Sequence, residues 1–396
     1  MKKIILAAFI LSSGFMAQAI TINGTLKGLS NDTIIFTSTP VSKIHTEGQD
    51  EATKTETIVA KDGVVSYSLN ATEPMSIDIS FDQFKVSTGA GREPYFRNDS
   101  QFSLVMGPKE NADFTVNYAD SIFNYTVKGT PLIEDIYTVD NAVLPLMRRA
   151  SNVIVDVIQG RIDRDAYYEQ IRKVMKERSA LASDLFKAHA NSPAAEYIIT
   201  KYIPSDSIDS YVAKVGASAK GSLVKPMLDA QIKNNKMHKE LEAIREKKKG
   251  KDEVGQKASD FTLLDINDKP FKFSSLQGKF VILDFWGSWC GWCIKGMPSL
   301  KEYYAKHKND LEIVGVDCND GKAQWRAAVK KHELPWIHVY NPSNGPASKN
   351  VAALYSITGY PTKYLIDPKG NIVVKIVGED PEFFNKVDEA IANYKK

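Results

Sequence analysis

The sequence predicts a multidomain protein with an N-terminal antiparallel β domain, a helical middle segment and a C-terminal α/β domain. Three observations carry this. Up to about residue 130, short apolar runs alternate with period two and are separated by Gly, Asn, Asp and Pro, the pattern of half-buried strands. Between residues 132 and 253 the apolar residues recur at helical spacing. From residue 254 onward, apolar strand-like runs alternate with helical ones, which implies a mixed sheet flanked by helices. A chain of 396 residues is also too long for one ordinary domain.

Residues 1–19 stand apart from the rest. Lys2 and Lys3, the apolar residues 4–11, and Ala17-Gln18-Ala19 form the charged, apolar and small-residue zones of a signal peptide. Cleavage is expected after Ala19, which places the mature protein in the bacterial periplasm. The apolar core is short for a membrane span. A formal net charge of +3 excludes strong electrostatic steering toward nucleic acid.

Residues 20–131 read as a small sandwich or barrel, with strands at 20–22, 33–38, 64–69, 76–81, 103–106 and 113–118. Residues 42–57 and 87–100 read as long surface loops. The triplets Asn23-Gly24-Thr25 and Asn124-Tyr125-Thr126 match a glycosylation pattern that is frequent by chance. Residues 132–253 read as helices at 139–158, 164–190, 192–202, 205–215 and 222–247, whose apolar stripes are packing faces. Pro193 suits a helix start, and Pro226 should sit near a helix start or kink the helix. The basic run 245–251 reads as a solvated helix end and linker.

Residues 254–396 open with a hairpin, 261–266 with 271–273, followed by an apolar strand at 280–285. A helix carrying Cys290 and Cys293 in its first turn comes next. Strands at 311–317 and 336–340, helices at 322–332 and 349–355, a hairpin of 363–366 with 372–377 and a helix from 381 complete the part. The cysteine pair is the chemical centre. Unpartnered N–H groups and the helix dipole favour a thiolate at Cys290, and a lower thiol pKa means more nucleophile at neutral pH. Cys290 is expected nearer the exposed helix start, with Cys293 further in. All three cysteines of the chain lie in this part, two of them three residues apart, so redox chemistry is expected rather than scaffolding.

Residues 254–396 resemble the exported thioredoxin-like disulfide reductases known as TlpA-like. The matching residues are Gly278 to Val281, Asp284 to Cys290, Pro298, and Gly359-Tyr360-Pro361-Thr362 followed by Leu365 to Gly370. The β and helical segments in front resemble the N-terminal half of multidomain members. The resemblance implies a thiol-disulfide oxidoreductase with Cys290 as the attacking thiol and Cys293 as the resolving one. Asp284 matches the buried acid behind the pair; burial in an apolar strand should raise its pKa and suit it to accept a proton. Pro361 matches the cis-proline facing the cysteines, and Tyr360 before it lends backbone groups to an extended substrate. Trp289 and Trp292 are expected to frame a substrate groove, with Trp286 in the core. Trp292 stands where the family most often has proline, which leaves reductase or oxidase direction open. Gly296 stands where cytochrome-maturation members carry glutamate, which weakens a haem-protein substrate.

The implied partners are protein disulfides and an unidentified thiol donor, for which a membrane electron carrier is a candidate; nucleic acid is excluded. No cofactor is expected beyond the Cys290–Cys293 disulfide. No metal is expected either, because no second Cys pair or His has ligand spacing. A thiol peroxidase of the same fold would need its cysteine in a different loop, which is missing. Cys318 reads as a small buried hydrophobe. The rival function is an envelope binding or scaffolding protein whose thioredoxin-like domain serves partner recognition.

Overall fold

The structure, a computed structural model, describes residues 19–29, 31–46, 48–88, 94–248, 253–342 and 350–394. The expected signal segment lies outside the described residues except for Ala19, as do residues 249–251 of the basic run 245–251. Two compact units divide between Lys233 and Asn234.

The first unit holds strands β1 (Ala19–Lys27), β2 (Thr33–Pro40), β3 (Lys54–Val59), β4 (Val64–Asn70), β5 (Met75–Phe81), β6 (Lys85–Val86), β7 (Tyr95–Phe96), β8 (Gln101–Met106), β9 (Asn111–Ala119) and β10 (Ile122–Lys128), with a short helix α1 (Gln49–Ala52). Two four-stranded sheets, ordered β10-β9-β1-β4 and β3-β2-β5-β8, share one core. Alternation explains this: Ile20 and Ile22 of β1, Ile34 and Phe36 of β2 and Tyr67 of β4 all point inward, and Phe36 stacks on Tyr67 at 4.3 Å. The pairing is antiparallel except that β1 runs parallel to β9. Residues 42–57, expected as a loop, hold α1 and most of β3, while 87–100 holds β7. β3 escapes a pattern search because it is an edge strand whose residues are nearly all exposed on both faces.

Helices α2 (Pro131–Ile158), α3 (Arg164–His189), α4 (Ala195–Tyr202) and α5 (Ile208–Val212) follow. Ile133 and Leu144 of α2 join the strand core, which is why strands and helices form one unit. The opposite stripe of α2 (Ile136, Val139, Val143) packs with Ala182, Phe186 and Ile198 of α3 and α4. Asp140 is buried there, accepting from Tyr197 Oη at 2.9 Å, Tyr202 Oη at 2.7 Å and Lys201 Nζ at 3.0 Å. The unit boundary falls inside α6 (Lys225–Lys248).

The second unit contains β11 (Thr262–Asp265), β12 (Pro270–Lys272), β13 (Phe280–Trp286), α7 (Gly291–His307), β14 (Leu311–Cys318), α8 (Lys322–Lys331), β15 (Ile337–Asn341), α9 (Val351–Leu354), β16 (Thr362–Ile366), β17 (Ile372–Val377) and α10 (Phe383–Tyr394). One sheet of order β12-β11-β15-β14-β13-β16-β17 runs through it, parallel within β13, β14 and β15 and antiparallel elsewhere. Every residue of β13 is buried, as a central strand covered on both faces requires. Ile282, Trp286, Ile313 and Leu365 pack on one face with residues of α7, α8 and α10; Val281, Leu283, Phe285 and Val316 pack on the other with α9. This is the α/β third part anticipated from the sequence.

Candidate active site

The chain leaves β13 at Trp286 and reaches α7 within four residues. That short passage is held from the loop after β14: Ser288 donates its backbone N–H and its hydroxyl to the two carboxylate oxygens of Asp320, each at 2.6 Å. Trp289 Nε1 donates to the carbonyl oxygen of Cys318 at 2.9 Å. Gly287 lets the loop come this close, since a Cβ there would meet the Trp289 ring and stand 2.8 Å from that same carbonyl oxygen.

Cys290 is the N-cap of α7, and its Sγ accepts the backbone N–H of Cys293 at 3.1 Å. It therefore takes a position where N–H groups lack intrahelical partners. The two cysteines form a disulfide with Cα atoms 5.3 Å apart. Cys290 stands at the helix start and Cys293 further in, as expected, but exposure does not separate them: Cys290 is 6% exposed and Cys293 5%. In the disulfide each sulfur covers the other, so the difference between them is one of helix position. Two flanking aromatic side chains are open to solvent, Trp289 at 51% and Trp292 at 63%, whereas Trp286 is core. Lys295 Nζ lies 5.2 Å from the Trp292 ring centre.

Asp284 lies in the middle of β13, buried, and its Oδ1 has no hydrogen-bond partner. Burial pushes its pKa up to about 6; the Lys363 charge opposes this and Glu379 adds to it. The Tyr360–Pro361 peptide is cis. Tyr360 meets Trp289 edge-on at 5.1 Å, so two sequence-selected residues share one surface beside the disulfide. Cys318 is buried, and burial holds its thiol pKa well above the usual range.

Sequence reasoning missed Asp320, Lys363 and Glu379. Lys363 had a readable signal: a charge opening the buried run Tyr364-Leu365-Ile366, the same cue that singled out Asp284. Glu379 had none, since it follows β17 in a polar turn. Among the described residues no cluster of three or more His, Cys, Asp or Glu could hold a metal ion.

Residues 254–375 match the AhpC/TSA family. The chain is 34% identical over 132 residues to the thiol-disulfide oxidoreductase ResA of Bacillus cereus, covering 33% of this chain and 73% of that protein. It is 29% identical over 121 residues to the thioredoxin-like protein YneN of Bacillus subtilis, covering 30% and 68%. Among solved structures, the thioredoxin domain of a thiol-disulfide oxidoreductase from Bacteroides vulgatus aligns with TM-score 0.32 and 29% identity, covering 35% of this chain and 97% of that one.

Proposed function

Since the chain belongs to the thiol-disulfide oxidoreductase family and is an oxidoreductase of the thioredoxin-like kind, we propose that it reduces protein disulfides through Cys290 and Cys293. The observation that carries this is Cys290 at the N-cap of α7, bonded to Cys293 and accepting its N–H. In the dithiol form the Cys290 thiolate attacks a substrate disulfide; a Cys290–substrate S–S bond forms and the substrate's own S–S bond breaks, releasing one substrate thiolate. Cys293 then loses its proton to Asp284 and attacks Cys290 Sγ. The Cys290–Cys293 bond forms, the bond to substrate breaks, and the second substrate thiolate leaves. Two electrons pass from the cysteine pair to the substrate, and a thiol donor must return them. Tyr360, Pro361, Trp289 and Trp292 hold an extended substrate beside the pair. The leader-like residues 1–19 support action in the periplasm.

The test is a trap. Wild-type protein should cycle between dithiol and disulfide with dithiothreitol and oxidised glutathione and should reduce insulin. Cys293→Ser should stall with substrate captured on Cys290, and Cys290→Ser should capture none. A wild-type pair that fails to cycle, or equal capture by both variants, overturns the reading.

A further inference from the structure

Strand alternation puts Asp284, Gly315, His338 and Lys363 on one face of the second unit's sheet, the face whose core includes both cysteines. Register aligns them across four neighbouring strands: His338 opposite Gly315, Gly315 opposite Asp284, and Asp284 opposite Lys363. Lys363 is as buried as Asp284. Its ammonium nevertheless goes to Glu379, Nζ to Oε1 at 2.8 Å, and Asp284 Oδ1 is left without a partner.

Glu379 reaches that place because of two glycines. Gly378, at φ +86°, turns the chain after β17 and donates its N–H to the Pro361 carbonyl oxygen at 2.7 Å. Gly296 of α7 leaves the space the carboxylate occupies: a Cβ there would stand 2.5 Å from Glu379 Oε1 and 2.8 Å from Oε2. A glycine inside a helix costs about 1 kcal/mol relative to alanine. Here that cost coincides with a carboxylate seated on an active-site helix.

Resting on the disulfide-exchange reading above, we propose that Glu379 is a positioning residue for Asp284: by holding the Lys363 ammonium it keeps that cation from pairing with Asp284, so that Asp284 stays a proton acceptor for Cys293. A carboxylate fully paired with a buried ammonium is a weak base, because the opposite charge stabilises its ionised form. The other groups facing Asp284 contribute little charge. His338 is kept neutral by burial, which lowers its pKa to about 4, and Asp317, two residues along β14 from Gly315 on the same face, is kept protonated by burial, which raises its pKa to about 10. From α10, Phe383 covers the Lys363 ammonium at 5.8 Å. The cysteines come from α7. Beyond burial, Lys363 and Glu379 therefore act on Asp284, with opposite signs.

The opposite signs make the proposal testable in the full chain. The Asp284 side-chain carboxyl carbon is titrated by NMR in the reduced protein, and the pH profile of its oxidation by oxidised glutathione is measured in parallel. Glu379→Gln should lower the Asp284 midpoint by about half a pH unit or more and move the acid limb of the rate profile with it. Gly296→Ala should act in the same direction, because its methyl displaces the Glu379 carboxylate. Lys363→Met should raise the midpoint, and Glu379→Asp should stay close to wild type. A folded Glu379→Gln protein whose midpoint is unmoved or raised overturns the proposal; if Lys363→Met does not fold, Glu379→Gln and Gly296→Ala still decide it. Expected midpoint shifts in a protein that exchanges no disulfide at any pH would overturn the functional reading and leave the electrostatic arrangement standing.

Discussion

Trp289 and Cys318 are joined by a hydrogen bond of 2.9 Å from the indole N–H to the backbone carbonyl, which ties the residue before Cys290 to the end of β14. The bond fixes one wall of the exposed surface beside the disulfide. Trp289→Phe keeps an aromatic side chain, though a smaller one, and loses the bond. It should cost about 1 kcal/mol in stability and weaken substrate capture more than it slows thiol chemistry. Gly287→Ala forces a Cβ into the same contact and should cost about 1–3 kcal/mol. Denaturant unfolding of both variants checks the order.

Asp284 couples stability to pH. Burial raises its pKa from 3.8 to about 6 in the folded protein. A carboxyl whose folded pKa lies above its unfolded value binds more protons when folded, so its contribution is fully present below about pH 4 and is lost as pH rises through about 6. Asp284→Asn removes this dependence. Relative to wild type the variant should gain up to about 3 kcal/mol between about pH 4 and about pH 8. Its resolving step should meanwhile slow about 100-fold, seen as accumulated mixed disulfide. Stability falling with pH equally in both proteins would contradict the assignment.

Cys318 should be chemically silent. It is buried, and its thiol is held protonated. The oxidised native protein should therefore show no thiol reactive to Ellman's reagent and one after denaturation. After reduction, alkylation without denaturant should label Cys290 and leave Cys318 unmodified, as read by peptide mass spectrometry.

Asp140 anchors the helices of the first unit by accepting from Tyr197, Tyr202 and Lys201. Asp140→Ala takes the acceptor from the buried Tyr197 and Tyr202 hydroxyls and should cost about 2–4 kcal/mol. All five tryptophans lie in the second unit. Calorimetry should show one transition moving down while the tryptophan fluorescence transition stays in place.

Much of the second unit was legible in the sequence because its signals are local. An apolar run, a turn, a cysteine pair at a helix start and a Gly-Tyr-Pro-Thr segment each follow from neighbouring residues. The exchange of partners around Asp284 was not legible, since Lys363, Gly296 and Glu379 meet only through sheet register and helix packing. In the first unit, β10 carries clear alternation in Phe123, Tyr125 and Val127 and was readable, although the sequence reading did not separate it. The exposed edge strand β3 has no such pattern to read.

The parallel pairing of β1 with β9 sets an order of events for a newly made chain. Asn23 and Asp113 are hydrogen-bonded neighbours although 90 residues separate them. β1 lies between β4 and β9, so its β4 side can pair once Asn70 has been made, while its other edge has no partner until β9 has emerged. Closing so long a loop is slow. Through that interval the first strand presents an open edge, and a holding factor that covers it would act there.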